Sequence, residues 1–285
     1  MKNIILINLF IIIFSIAPSL AAKFPNIPGG INVDTYCDAK GGSYGHVIVV
    51  LDLTTNLDSK RIEFIKNQVF TKDFYMRYSP FTKFSYLLIS NKPHTEQKFI
   101  FKKCRPKTGD KKFHKDEKAT LFENTQVLES FSNRFFKAAT DEQSRIFSKK
   151  YKSDWSEIYE TIADIFTRTD SDFGSNHPKR DLIIVSDLMQ NTQRLSFYKA
   201  CNAKSNDAVC PPFKDFMKNL SDKDYIIATS PNGSNINLQM IYLNNRCETN
   251  KNLDKSLNEM WVEYFKSQKF NVLKTIRQTD LRNCS

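Results

Sequence analysis

The chain has 285 residues, a formal net charge of +11, 40% hydrophobic residues and 23 phenylalanines, enough apolar material for a sizeable core that does not depend on disulfides. No segment repeats with a period of 20 to 50 residues and no low-complexity tract occurs, which excludes solenoid and array architectures.

Residues 1–21 read as an export signal: Lys2 gives the positive start, Ile4 to Ile16 an apolar stretch, and Ser19-Leu20-Ala21 a small-x-small cleavage site. The apolar stretch is short for a membrane span of roughly 20 residues, and no later segment is apolar enough to cross a bilayer. No cysteine lies near the cleavage point, which argues against a lipid anchor. The expectation is a periplasmic or secreted chain, cleaved near Ala21, whose charge falls to +10 with the loss of Lys2. All six cysteines (Cys37, Cys104, Cys201, Cys210, Cys247, Cys284) lie in the exported part, as disulfides would. Cys201 and Cys210 bracket a polar loop and are expected to pair; the other four stay unassigned. Zinc is the competing reading, but there is no Cys-x-x-Cys, and His46, His94, His114 and His177 are scattered.

Residues 22–43 are expected to form an extended lead-in, and residues 44–285 a single domain. The stretch His46 to Leu57 organises that domain. Val47, Ile48, Val49, Val50 and Leu51 run without alternation, the pattern of a strand covered on both faces. Asp52, Thr54 and Asn56 then follow at alternate positions, where they are expected to be exposed. Asp58 and Ser59 can cap a helix carrying Ile62, Ile65 and Val69. Phe84 to Ile89 and Phe99 to Lys103 read as strands joined by a hairpin-like connection, the second an antiparallel edge. Residues 98–118 hold nine Lys or Arg against three acids. Such a run either blunts the edge strand or offers Lys102, Lys103, Lys111 and Lys112 to a polyanion. It carries no motif for specific nucleic-acid readout.

Helices are expected from about 120 to 139, and over a stripe of Trp155, Ile158, Tyr159, Ile162, Ile165 and Phe166 whose aromatics face the core. Asp181 to Asp187 mirrors the first strand, an apolar run leaving through an aspartate. Phe213 to Leu220 reads as a helix, Tyr225 to Ala228 and Leu238 to Leu243 as strands about a turn at Pro231-Asn-Gly233. A helix from about Leu253 to Lys266 and a last edge strand, Phe270 to Ile276, close the chain. The whole predicts an α/β fold, a doubly wound, mostly parallel sheet flanked by helices.

This order resembles a von Willebrand factor type A domain over roughly residues 44 to 278, a Rossmann-like three-layer sandwich. The family's metal-ion-dependent adhesion site takes Asp-x-Ser-x-Ser after the first strand, a threonine from a later loop and an Asp-Gly after the fourth strand. Here those elements are matched by Asp52-Leu-Thr54-Thr-Asn56, by Ser156-Glu-Ile158-Tyr-Glu-Thr161-Ile162, and by Asp187-Leu188 without the glycine. Ser153 competes with Ser156 for the hydroxyl role. The resemblance implies Mg2+ or Mn2+ held by Asp52, Thr54, Asn56, Ser156 and Asp187, with an open position for a carboxylate of an acidic protein ligand. It implies a non-enzymatic binding module. The alternatives are an exported hydrolase using Asp52 and Asp187 with a metal-bound water, or a metal-free scaffold in an envelope, secretion or transfer assembly. Against the hydrolase, the chain has no Gly-x-Ser-x-Gly, phosphate loop or His-Glu-x-x-His.

Overall fold

A computed structural model describes residues 31–38, 43–55, 57–109, 123–171, 173, 179–205, 207–219, 235–243 and 251–277. Among the described residues six strands form one sheet in the order β3-β2-β1-β4-β5-β6. They are β1 (Gly45–Asp52), β2 (Thr82–Ile89), β3 (Phe99–Cys104), β4 (Arg180–Ser186), β5 (Ile236–Tyr242) and β6 (Asn271–Arg277). All neighbouring pairs are parallel except β2 with β3, so β3 is the expected antiparallel edge. β1 lies directly beside β4, Val49 opposite Ile183, which places the two aspartate-terminated strands side by side.

The apolar runs of β1 and β4 divide by parity, as a strand's alternating side chains require. Ile48, Val50, Leu182 and Ile184 enter one core, and Val47, Val49, Leu51, Ile183 and Val185 the other. The first core is covered by α4 (Ile158–Thr167), α5 (Phe197–Ala200), α6 (Phe213–Asn219) and α7 (Lys251–Ser267). The second is covered by α1 (Ser59–Gln68), α2 (Lys72–Met76) and α3 (Thr125–Phe147). The result is a three-layer α/β sandwich of the doubly wound type. Helix α1 starts where its sequence indicates, with the Asp58 carboxylate accepting the Arg61 N–H at 2.8 Å. Helix α7 buries Leu253, Leu257, Met260, Trp261, Tyr264 and Phe265, a stripe spaced for one helical face.

Several elements differ from expectation, among them α5 (Phe197–Ala200), which the sequence reading did not include. Helix α3 runs to Phe147 because its stripe continues through Ala139, Gln143 and Ile146, and the Gln143 amide donates to the Phe70 carbonyl at 3.3 Å. Helix α2, five residues long, is too short for periodicity to show; the Thr71 hydroxyl caps it by accepting the Phe74 N–H at 2.9 Å. Within the lead-in, residues 31–38 form a compact turn, since the Asn32 side chain accepts the N–H groups of Asp34 and Thr35 at 2.9 Å each. Residues 225–228 and 231–233, read as strand and turn, lie outside the described residues.

Three lysines of the basic run, Lys102, Lys103 and Lys107, make contacts at or near the edge. Lys102 donates to the Asp170 carbonyl at 2.8 Å and sits over the Phe99 ring; Lys103 donates to the Asp34 carbonyl at 2.6 Å and sits over Tyr36. Lys107 pairs with Glu123 at 3.2 Å. These contacts fit the edge-covering reading, while Lys111 and Lys112 lie outside the described residues. Among the described residues no helix is long and apolar enough to cross a membrane.

Among the described residues two disulfides are formed, Cys37–Cys104 and the expected Cys201–Cys210; Cys247 and Cys284 lie outside them. The first closes a separation of 67 residues and ties the lead-in to β3, the second a separation of 9. By chain entropy the longer loop contributes roughly 4 kcal/mol and the shorter about 2.5 kcal/mol. Replacing both cysteines of Cys37–Cys104 by serine should therefore lower the guanidinium midpoint more than the same change at Cys201–Cys210. The reverse order in denaturation curves would remove the claim.

Candidate functional site

In a doubly wound sheet, ligands bind at the carboxyl ends of the strands, where the order reverses. Here the reversal falls between β1 and β4, because the chain runs from β1 out to β2 and β3 before returning to β4. Asp52, the last residue of β1, lies at that point and is only 4% exposed. Thr54 is buried too, so Asp52 and Thr54 turn inward rather than out to solvent. A buried carboxylate must be satisfied or it is very costly, and this one is.

Oδ1 of Asp52 accepts the Thr54 N–H at 3.1 Å and the Thr54 hydroxyl at 2.7 Å. Oδ2 accepts the hydroxyls of Ser156 at 2.9 Å and Ser186 at 2.7 Å. Ser186 in turn accepts the Leu188 N–H at 2.8 Å. One carboxylate thus gathers three stretches: the exit of β1, the segment before α4 and the exit of β4. Backbone bonds tie the same stretches together. The Ser153 N–H donates to the Thr54 carbonyl at 2.9 Å, and Ser156 and Asn191 exchange N–H to carbonyl bonds at 2.8 and 2.9 Å. Ser156, not Ser153, reaches Asp52; the Ser153 hydroxyl accepts the Trp155 N–H at 3.1 Å.

Asp187 follows β4 and accepts the Met189 N–H at 3.0 Å. Leu188 adopts φ 59°, the left-handed region that glycine occupies most easily, where the resembling family has its glycine. Its fully buried side chain in the first core, and its carbonyl accepting the Trp261 indole N–H at 2.9 Å, hold it there. Gln190, also fully buried, accepts the N–H groups of Ile158 and Tyr159 at 2.7 and 3.0 Å and so caps α4.

Above this network lies a cleft of about 720 Å3, whose lining includes Thr54, Ser156, Asp187 and Asn191. Trp155 and Tyr198, 49% and 39% exposed, line it as well. The expectation that Trp155 belongs to the core stripe is corrected: α4 begins at Ile158, so Trp155 lies in the segment before the helix and escapes its periodicity. Of the five residues read as metal ligands, Thr54, Ser156 and Asp187 line the cleft and Asp52 lies behind them; Asn56 is outside the described residues. Ser186 and Gln190 were missed as site residues. Strand alternation could have flagged Ser186, a hydroxyl ending an otherwise apolar run, whereas nothing local marks Gln190.

The donor chemistry fits a hard cation. The Thr54 and Ser156 hydroxyls donate hydrogen bonds to Asp52, which leaves hydroxyl lone pairs on residues that line the cleft beside the Asp187 carboxylate. The described residues hold no group of three or more His, Cys, Asp or Glu placed for a metal, so an ion here would be held mainly by hydroxyls and water. Neither described histidine lines the cleft: His46 bonds Ser85 at 2.9 Å, and His94 bonds Glu157 at 3.0 Å.

No protein-family model matches the chain, and no curated protein matches it. A solved structure of an aerotolerance-related membrane protein from Bacteroides fragilis NCTC 9343, carrying multiple mutations to serines, is similar at 11% identity. That likeness covers 83% of this chain and 92% of the other with a TM-score of 0.32, too low to carry an argument. The class that the fold and site define is a doubly wound α/β protein with a buried, hydroxyl-bound carboxylate at its switch point.

Asp52→Asn tests the network, because it replaces an acceptor oxygen by a donor facing hydroxyl donors. It should destabilise the fold by about 1–3 kcal/mol in denaturant titrations, and unchanged stability would show that the hydroxyls re-pair freely. Glu160 gives a pH test. Burial raises its carboxyl above the ordinary range, although it accepts the Gln190 amide at 2.8 Å. A raised folded-state value means that its contribution is complete below the unfolded value and is lost as pH rises through the folded one. Glu160→Gln should therefore gain stability relative to wild type as pH rises from about 4 towards 7, and a pH-independent difference would contradict it.

Proposed function

We propose that this chain is an exported, von Willebrand factor A-like binding module that recognises a protein partner through the carboxyl end of its sheet. The observation that carries the reading is the Asp52 carboxylate, which orients the Thr54 and Ser156 hydroxyls at the floor of an open cleft at the switch point. In this reading Thr54 and Ser156 hold a divalent cation, Mg2+ or Mn2+, by their hydroxyls. Asp187 adds charge from the cleft wall, and Asp52 acts from behind by orienting the hydroxyls. When bound, the ion supplies an open position for a partner's carboxylate. Export is supported by the two disulfides, which persist in oxidising compartments.

A specific observation favours a second reading, the metal-free scaffold. Each oxygen of Asp52 already accepts two hydrogen bonds, so the network is satisfied without an ion. The two readings separate in a melting experiment. With Mg2+ or Mn2+ near 100 times the dissociation constant, stabilisation should reach about 2.7 kcal/mol. That is a rise of a few degrees for a domain of this size. Asp187→Ala should abolish the shift yet leave the apo protein folded, and a chelator should release a captured partner from the wild type. No shift with either ion assigns the site to the scaffold reading.

A further inference from the structure

The larger cleft does not stand alone. A second cleft, about 340 Å3, opens between α1 and the end of α3, and Thr55 lines both. The smaller one is apolar at its base, with Leu53, Leu57, Ile62, Ile146 and Phe147, and has Lys149 and Lys150 at its lip. The larger carries Lys152, Lys199 and Lys204. All five lysines are exposed, and none forms an ion pair with another described residue. Among the described residues the acids lining the clefts are Asp154 and Asp187, so the described linings carry more lysines than acids.

Resting on the reading that this end of the sheet binds a protein, we infer that the two clefts form one track for an extended acidic polypeptide segment that also carries apolar side chains. Its carboxylates meet the five lysines, and one large apolar side chain fills the smaller cleft. The mixed lining decides the chemistry. A phosphate polyanion would satisfy the lysines but would leave the half-buried Leu57, Ile62 and Phe147 of the smaller cleft uncovered. A purely apolar segment would leave the lysines unmatched. Trp155 and Tyr198 add exposed aromatic surface to the larger cleft, the residue types that most often dominate binding energy.

The test uses the mature chain in chelator, with a fluorescein-labelled peptide of alternating Glu and Leu read by anisotropy. Its controls are a Lys–Leu peptide, an oligo-glutamate and dextran sulfate. The Glu–Leu peptide should bind more tightly than all three, and binding should weaken with salt. Lys149→Glu with Lys150→Glu, and separately Lys152→Glu with Lys199→Glu, should each weaken it at least about tenfold. These positions are exposed, so the variants should keep the wild-type melting temperature. Phe147→Ala should lower Glu–Leu affinity towards that of oligo-glutamate while leaving oligo-glutamate itself unchanged. Failure of the Glu–Leu peptide to bind, equal binding by wild type and both lysine variants, or dextran sulfate binding as tightly as the peptide would each overturn the track. The metal response lost in Asp187→Ala is measured without peptide, so the track and the cation site fail independently.

Discussion

Everything at the carboxyl end of the sheet depends on one buried carboxylate. Placing Asp52 in the interior without partners would cost far more than a strand-end residue can recover, so the chain must bring donors to it. It brings four, from Thr54 and from two serines more than a hundred residues further along. Satisfying the charge therefore fixes the relative positions of three connections that the sheet alone would leave loose. Hydrogen bonds to a charged acceptor contribute about 1.5–3 kcal/mol each, more than neutral ones, and here they do so away from competing water.

That network stands on the two cores. Parity sends alternate residues of β1 and β4 into opposite layers, and the helices on each face close over them. The strained Leu188 backbone shows how the balance is struck. A left-handed residue other than glycine costs roughly 1–2 kcal/mol, while a fully buried leucine returns about 1.5–3 kcal/mol through burial. Leucine is thus affordable at this corner because its side chain lies within the core that contains Trp261, whereas an exposed corner would need glycine.

The sheet was legible in the sequence because its signals are local: continuous β-branched runs, each leaving through an aspartate, with a cap at Asp58. What escaped were features set by tertiary context. Trp155 has the composition and spacing of a core residue, and only the late start of α4 leaves it in solvent. Asp52 and Thr54 read as polar residues at an open strand end, yet they are buried because Ser156 and Ser186 arrive from elsewhere to receive them. Helix α2 has five residues, less than two turns, so no period could reveal it.

The arrangement separates the part of the site that must be constant from the part that can vary. Asp52, Ser186 and Gln190 are buried and bound to neighbouring elements, so changing any of them loosens the loops and not merely the surface. Trp155, Lys152 and Lys204 lie in the connections and Tyr198 and Lys199 on α5, all of them exposed. Substitution there costs the fold little, since exposed side chains away from buried networks rarely change stability by more than about 0.5 kcal/mol, so on the proposed reading partner choice could change without loss of the fold. The proposed binding reading matches this division, with a rigid, self-satisfied floor setting geometry beneath a rim of exposed side chains.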